Sequence, residues 1–196
     1  MTGHRKLVKH YHEPGDVHEL TFSCYRRMPI LTNNKWRSYL AESIEAACRL
    51  HRFRLVAFVF MPEHVHLLVL PEEQEPDLGG FIGAMKRPCS VRIKDDLTAA
   101  KSRLLERLTV RERPGKTAFR FWQEGPGYDR NLQHEKTVMA SIDYLHANPV
   151  RRGLCKDAKG WFWSSIRYYV TEPPKLDPGL PTIHGLPPDF FTRNNP

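Results

Sequence analysis

The sequence predicts an α+β domain with one antiparallel sheet, and two observations lead to that prediction. First, four segments have the apolar alternation or the β-branched and aromatic content of strands: 17–25, 53–60, 64–70 and 119–123. Second, helical patterns separate them in the order β-α-β-β-α-β, and a further C-terminal helix follows. This is the ferredoxin-like split βαβ order, which places helices on one face of the sheet and leaves the other face free for a site or a partner.

The first half of the chain contains the clearest elements. After the first strand, Asn33 or Asn34 can cap a helix that runs to about Leu50, with an apolar residue at every fourth position. The segments 53–60 and 64–70 are almost wholly apolar and are separated by a three-residue turn. They therefore predict two buried strands joined as a hairpin.

The second half is less regular. A helix is expected over 78–93, although three glycines and a proline weaken the pattern. Residues 97–118 are basic and polar, and they predict a helical insertion followed by a loop. We divide the chain into a polar N-terminal arm (1–16), one domain (17–170) and a C-terminal tail rich in proline and glycine (171–196).

Composition restricts the function classes. The 196 residues carry a formal net charge of +8. A polyanionic partner is the simplest explanation, with nucleic acid the commonest one, and a protein that is basic without such a partner is the alternative. The four cysteines are scattered, without the close pairs of a zinc ribbon or a redox site. The sequence shows neither a signal peptide nor an apolar run of membrane-spanning length. We therefore expect a cytoplasmic protein with reduced thiols and no membrane partner.

The segment His64-Val65-His66 is the first candidate site. Residues i and i+2 of a strand point to the same face, so both imidazoles converge on one small volume. Two neutral imidazoles supply two of the three protein ligands of a typical divalent-metal site. The alternative is a pair of partly buried histidines that bond to the backbone or to each other. Because the rest of this strand is apolar, the two rings need partners of some kind.

The last predicted helix carries the second candidate site. It is expected over about 132–147, capped by Asn131, and should end before Pro149, because the residue before a proline is disfavoured in the α region. Tyr144 and Asn148 are four residues apart and lie off the apolar face of this helix. The alternative for Tyr144 is a tyrosine that merely packs at the helix edge.

Together these residues suggest phosphodiester chemistry. His64, His66 and the amide oxygen of Asn148 could hold a divalent ion that polarises a phosphodiester as a Lewis acid. Tyr144 would then be the nucleophile, activated by a base or by the ion. Its attack would leave a covalent phosphotyrosine and a free hydroxyl, so that rejoining needs no ATP.

Two segments resemble one family. The segment 58–69, which contains MPEHVHLLV, resembles the HUH motif of single-tyrosine transposases, and 142–150 (IDYLHANPV) resembles their tyrosine helix. The segment 161–165 (WFWSS) resembles a motif that follows it. The likeness runs from about residue 17 to 169 and is nearest to the REP-associated tyrosine transposases, relatives of small insertion-sequence transposases. Residues 97–118 are longer than in compact members.

The resemblance implies an activity and its residues. It assigns His64, His66 and Asn148 as ligands of Mg²⁺ or Mn²⁺, and Tyr144 as the nucleophile that forms a 5′-phosphotyrosine with single-stranded DNA. The implied substrates are hairpins with a flanking single strand, and the implied assembly is a monomer or a homodimer. Tyr128 is a rival tyrosine, but its sequence context predicts a loop.

Basic residues suggest where DNA lies. Three pairs of cations are candidate phosphate contacts: Arg26 and Arg27, Lys86 and Arg87, and Arg151 and Arg152. Taken singly, each of them fits a solvated surface charge equally well. Among the aromatic residues, Trp122 and Tyr128 could stack on bases.

Three other functions stay open at this point. A histidine-triad nucleotide hydrolase needs a third alternating histidine, and Leu68 occupies that position. A barrel hydrolase that opens with HxH is usually longer than 196 residues. A DNA-binding protein derived from a transposase, without strand transfer, is the non-enzymatic alternative.

Overall fold

The computed structural model of the protein describes residues 15–125, 127–175 and 177–193. The predicted N-terminal arm thus lies outside the described residues, apart from Gly15 and Asp16. The six strands are β1 (Val17–Ser23), β2 (Phe53–Phe60), β3 (His64–Pro71), β4 (Thr109–Arg113), β5 (Lys116–Phe119) and β6 (Tyr128–Leu132). The α-helices are α1 (Asn34–His51), α2 (Leu78–Ala99), α3 (Arg103–Leu108), α4 (Glu135–Arg151), α5 (Ile166–Val170) and α6 (Phe190–Arg193).

The main sheet has four antiparallel strands in the order β2-β3-β1-β6. This order confirms the predicted α+β class and follows from the split βαβ connection, in which β3 lies between the parallel β1 and β2. Thr21 in the centre of β1 is opposite both His66 of β3 and Tyr128 of β6. The sheet register therefore brings three polar side chains side by side.

The two faces of the sheet are covered differently. One face packs its apolar residues, such as Phe22, Phe58 and Val65, against α1 and α2 in the larger core. The opposite face packs residues such as Val59 and Leu68 against α4 in a smaller core. Helix α4 thus covers part of the sheet face that was predicted to be free. The candidate site lies where α4 meets this face.

The prediction of a strand at 119–123 was wrong. Phe121 and Trp122 are buried in the larger core, and only one isolated bridge, from Cys24 to Trp122, pairs this segment with the sheet. Its aromatic content reflects core packing rather than strand pairing. The fourth strand is instead β6, the outermost strand of the described sheet. Four of its five residues are exposed or half-buried, so it lacks the apolar alternation of a core strand.

The loop predicted within 97–118 was also wrong in part. Helix α2 continues to Ala99, and the short helix α3 follows, as the predicted helical insertion implies. The expected loop is a hairpin of β4 and β5 that turns at Gly115, whose φ of +74° favours glycine. Its strands were missed because most of their residues are polar and exposed.

The predicted bounds of the tyrosine helix were wrong at both ends. Asn131 and Leu132 belong to β6, and the helix begins at Glu135 after His134. It also continues through Pro149 to Arg151. Because Pro149 lies in the last turn, it removes only one intrahelical hydrogen bond there, which a helix end tolerates.

The C-terminal third of the chain closes the outer side of β2. The backbone of Phe60 donates to the Trp163 carbonyl (2.8 Å), and Ser165 donates to the Phe58 carbonyl (3.0 Å). Further along the same strand, the backbone of His184 donates to the Leu55 carbonyl (2.9 Å). The segment 161–165 and part of the tail are therefore hydrogen-bonded along this edge of the sheet.

Candidate active site

Strand β3 presents His64 and His66 on the same face. Their Nε2 atoms lie 2.9 Å apart, and the two rings are nearly perpendicular, at 87°. This distance is that of a hydrogen bond between the two imidazoles, which was the alternative to a metal site. It is also close to the separation of about 3.0 Å that two nitrogens have when each lies about 2.1 Å from one ion at a right angle.

His66 is held from its other nitrogen. Nδ1 lies 2.7 Å from the hydroxyl of Thr21, its neighbour across the sheet. When Nδ1–H donates to this hydroxyl, Nε2 keeps a free lone pair directed towards His64. Burial, with a smaller contribution from His64, lowers the pKa of His66 to about 4. The ring is therefore neutral at physiological pH, which is the form that binds metals.

His64 is held by an acidic neighbour. Its Nδ1 lies 3.2 Å from a carboxylate oxygen of Glu63, within ion-pair distance but without the geometry of a hydrogen bond. The same oxygen forms an ion pair with Arg152 at 2.8 Å. Burial lowers the pKa of His64, although the charge of Glu63 opposes the shift. A buried imidazole nitrogen next to a carboxylate is the arrangement that orients histidine ligands in metal sites.

Helix α4 places Tyr144 beside the histidine pair. Its ring centroid lies 6.4 Å from that of His66, at an interplanar angle of 84°. The side chain is 46% exposed, so the phenol is accessible, unlike that of a core tyrosine. The guanidinium of Arg151 lies 5.1 Å from the Tyr144 ring centroid. The nucleophile candidate therefore has a metal-ligand candidate on one side and a cation on the other.

A cavity of about 470 Å³ opens between this helix and the sheet. Its lining includes His66, Tyr144, Thr21, Tyr128 and Ser141. The Ser141 hydroxyl is buried and has no hydrogen-bond partner within the described residues. The cavity is of the size that small ligands and nucleotides occupy, and it leads directly to the accessible phenol.

Asn148 lies one turn after Tyr144 and is 8% exposed. Its amide nitrogen donates to the carbonyl of Tyr144 (3.3 Å), which leaves the amide oxygen as the atom able to bind a cation. In the described part of the chain no hydrogen bond joins Asn148 to either histidine. The structure therefore brings together His64, His66 and Tyr144.

The residues present fit a weakly held divalent ion. The described residues contain no group of three His, Cys, Asp or Glu side chains that converge on one point. Two neutral imidazoles and one amide oxygen leave several positions for water and phosphate oxygens, as hard cations such as Mg²⁺ prefer. The buried, anchored outer nitrogens of His64 and His66 support the same interpretation.

Several residues of the site were missed by sequence reasoning. Thr21 and Glu63 are the partners of the two histidines, and Ser141 lines the cavity. The rival tyrosine Tyr128 was recognised, but its assignment to a loop was wrong, because it opens strand β6 and lines the same cavity. The alternation of β1 was the one available signal, because it places Thr21 on the opposite face from the core residues Leu20 and Phe22.

The six predicted DNA contacts are differently placed. Arg151 and Arg152 flank the site, although Arg152 is engaged by Glu63. Arg26 and Arg27 are exposed and both have left-handed backbone conformations, with φ of 53° and 52°. Such conformations are uncommon outside glycine and cluster at functional sites. Lys86 and Arg87 lie on helix α2, in a separate cleft.

Comparison with known proteins gives the family. Residues 16–113 match the family described as transposase IS200 like. This chain belongs to the IS200-like transposases. A Haemophilus influenzae protein named as a REP-associated tyrosine transposase is 24% identical over 144 residues, which cover 70% of this chain and 76% of that protein.

The fold of this IS200-like transposase also has a solved counterpart. A REP-associated tyrosine transposase, whose structure was solved bound to a REP hairpin, superposes with a TM-score of 0.62 at 18% identity. The match covers 93% of this chain and 98% of that one. The family makes the protein an enzyme of transposase type. No helix among its described residues is long and apolar enough to cross a membrane.

Proposed function

We propose that this IS200-like transposase cuts and rejoins single-stranded DNA in a metal-dependent reaction, with Tyr144 as the nucleophile. The observation that carries the proposal is the position of an accessible phenol beside His66, whose Nε2 faces that of His64 at 2.9 Å. A tyrosine that only packed at the helix edge would need neither a neutral histidine pair nor an open cavity next to its ring.

The metal would be held by Nε2 of His64, Nε2 of His66 and the amide oxygen of Asn148. Mg²⁺ or Mn²⁺ bound there would supply Lewis-acid stabilisation of the charge on the phosphodiester oxygens. Thr21 and Glu63 would hold the outer nitrogens of the two rings. Asn148 would contribute its amide oxygen, which stays available because the amide nitrogen donates to the Tyr144 carbonyl.

The chemical step is a transesterification. The phenolic oxygen of Tyr144 forms a bond to phosphorus, and the bond from phosphorus to the 3′ oxygen of the preceding nucleotide breaks. The phenolic proton leaves to solvent, and the departing 3′ oxygen gains one. The products are a 5′-phosphotyrosine and a 3′ hydroxyl, and reversal of the same step on another 3′ end completes strand transfer. Arg151, near the ring, would offset the charge of the phosphate.

The substrate we propose is single-stranded DNA that flanks a hairpin. The basic composition of the chain fits a DNA partner, and the structurally similar transposase was solved with a REP hairpin. The cavity beside Tyr144 accepts an extended strand more readily than a duplex, because the phosphodiester must reach a phenol at the junction of a helix and a sheet.

The test is a covalent trapping experiment. The purified protein is incubated with labelled hairpin oligonucleotides from the ends of its own genomic locus, with Mg²⁺ or Mn²⁺, and separated under denaturing conditions. We expect an adduct that EDTA and Tyr144→Phe each abolish. Tyr128→Phe is the matched control, since Tyr128 lines the same cavity and is 55% exposed. It should leave the adduct yield within about two-fold of the unmodified protein.

The other outcomes separate the alternatives. An adduct that survives Tyr144→Phe but not Tyr128→Phe would identify Tyr128 of β6 as the nucleophile. Tight DNA binding without an adduct under any metal condition would identify a DNA-binding protein that has lost strand transfer.

A further inference from the structure

A second cleft lies on the other side of the molecule's main sheet, between helix α2 and the segment 119–125. It measures about 490 Å³ and shares no lining residue with the cavity beside Tyr144. We call it the α2 cleft. Its floor includes Phe119, which is half-buried, and the edges of the core residues Phe121 and Trp122, which are 1% and 6% exposed. Its helical wall includes Arg87, Val91 and Lys94.

Hydrogen bonds join the two walls of the α2 cleft. The ammonium group of Lys86 donates to the carbonyls of Gln123 (3.4 Å) and Gly125 (3.3 Å). In return, the indole nitrogen of Trp122 donates to the carbonyl of Lys86 (3.1 Å). Burial lowers the pKa of Lys86, because it removes water from around the ammonium group. The cleft is therefore formed before any ligand arrives.

The cleft combines an apolar surface with unpaired positive charge. Val91 is 58% exposed although it is β-branched and apolar. Among the described residues, neither Arg87 nor Lys94 has an acidic partner, whereas Arg120 is neutralised by Glu112 and Glu124. Uncompensated cations around an apolar floor favour a ligand that is anionic outside and flat and apolar inside.

We propose that the α2 cleft binds an unpaired nucleotide of the DNA substrate, with its base on the floor and its phosphates near Arg87 and Lys94. This inference rests on the proposed function only in taking single-stranded DNA as the substrate. A polypeptide is the less favoured occupant, because most peptides would not compensate the two free cations. The cleft would bind DNA at a point distant from the reacting phosphate. It would therefore affect the affinity for DNA and not the rate of the chemical step.

Fluorescence anisotropy tests this with two probes, a hairpin that carries a 5′ single-stranded flank and the same hairpin with a blunt end. We expect Val91→Glu to weaken binding of the flanked probe about ten-fold or more, since loss of one base-stacking site costs about this much, and to spare the blunt probe. Arg87→Ala with Lys94→Ala should lower the slope of log affinity against log salt by about 1 to 2. The matched controls are Leu50→Glu, at a site 72% exposed on α1, and Arg49→Ala.

A second readout locates the base directly. Flank positions are replaced one at a time by 5-iododeoxyuridine, and the photocrosslinked residue is identified by mass spectrometry. Crosslinks to Phe119 or Trp122 would support the proposal. Unchanged affinity in Val91→Glu, equal loss for both probes, or crosslinks confined to Tyr128 and Tyr144 would overturn it. Adduct formation at Tyr144 is scored separately, so either proposal can fail while the other stands.

Discussion

Arg152, just beyond helix α4, forms an ion pair with the carboxylate of Glu63, the residue before strand β3, at 2.8 Å. This contact joins the two elements that carry the nucleophile candidate and the histidine pair. It also gives Arg152 a role that competes with the phosphate contact expected from sequence. The two roles make different predictions.

If the ion pair positions the site, Arg152→Ala and Glu63→Gln should each lower the rate of adduct formation, by roughly 3- to 30-fold, and their effects should not add in the double variant, because residues in one network couple. Single-turnover rates at saturating DNA provide the measurement. A phosphate contact predicts something else for Arg152→Ala: weaker DNA binding with a salt slope lower by about 1, and no coupling to Glu63.

Thr21→Val should weaken metal binding by about ten-fold or more. The substitution keeps the shape of the side chain but removes the hydroxyl that lies 2.7 Å from Nδ1 of His66, and outer partners of this kind typically contribute that much. Titration of the protein with Mn²⁺ by calorimetry measures the effect without any DNA. Thr117→Val, on the exposed strand β5, is the control. Equal Mn²⁺ affinity in both variants would show that Thr21 does not contribute to metal binding.

Ser165→Ala should lower the free energy of unfolding by about 1–3 kcal/mol, because it leaves buried polar groups without a partner. The Ser165 hydroxyl accepts from the backbone of Phe58 (2.9 Å) and lies 2.8 Å from Nε2 of His146 on α4. Urea denaturation gives the value. Ser38→Ala, which removes a hydroxyl bonded within α1, should cost much less. A similar loss of unfolding free energy in both variants would show that the Ser165 hydroxyl contributes no more than a hydroxyl bonded within one helix.

Asp96→Asn should destabilise the protein at neutral pH but not in acid. Asp96 on α2 accepts hydrogen bonds from Lys35 and from the Trp36 indole of α1, and the bond from Lys35 is the main reason that its pKa is lowered. Since the folded pKa lies below the unfolded one, the stabilisation is full above the unfolded value of about 4 and disappears as pH falls through the folded value.

Thermal unfolding across pH measures this difference. The midpoint of Asp96→Asn should be lower by roughly a few degrees near neutral pH, and the gap should close below about pH 4. Asp95→Asn is the adjacent control, since Asp95 is exposed and should show no such dependence. A gap that persists in acid would mean that the carboxylate charge is not what stabilises the contact.

The elements predicted correctly are those whose side chains are buried on one or both faces. The bounds of β2 and the start of β3 follow from continuous apolar runs, and Asn33 caps α1 as its position suggested. The shared face of His64 and His66 follows from strand geometry alone. These features depend on local pattern, which a single sequence contains.

The features missed depend on contacts between distant segments. Strand β6 is mostly polar, and it pairs because Gly127 allows the chain to approach β1 so closely that a Cβ atom would lie 2.2 Å from the Thr21 carbonyl. No local sequence pattern predicts this close approach of the two strands. The same holds for Phe121 and Trp122, whose aromatic pattern indicates burial without specifying a strand.

The closure of β2 by residues 163–165 and 184 has a consequence for self-association. A strand whose outer backbone groups are already bonded cannot recruit a second copy of the chain by extending the sheet. Two copies of the chain would therefore have to associate through a surface other than the outer edge of β2.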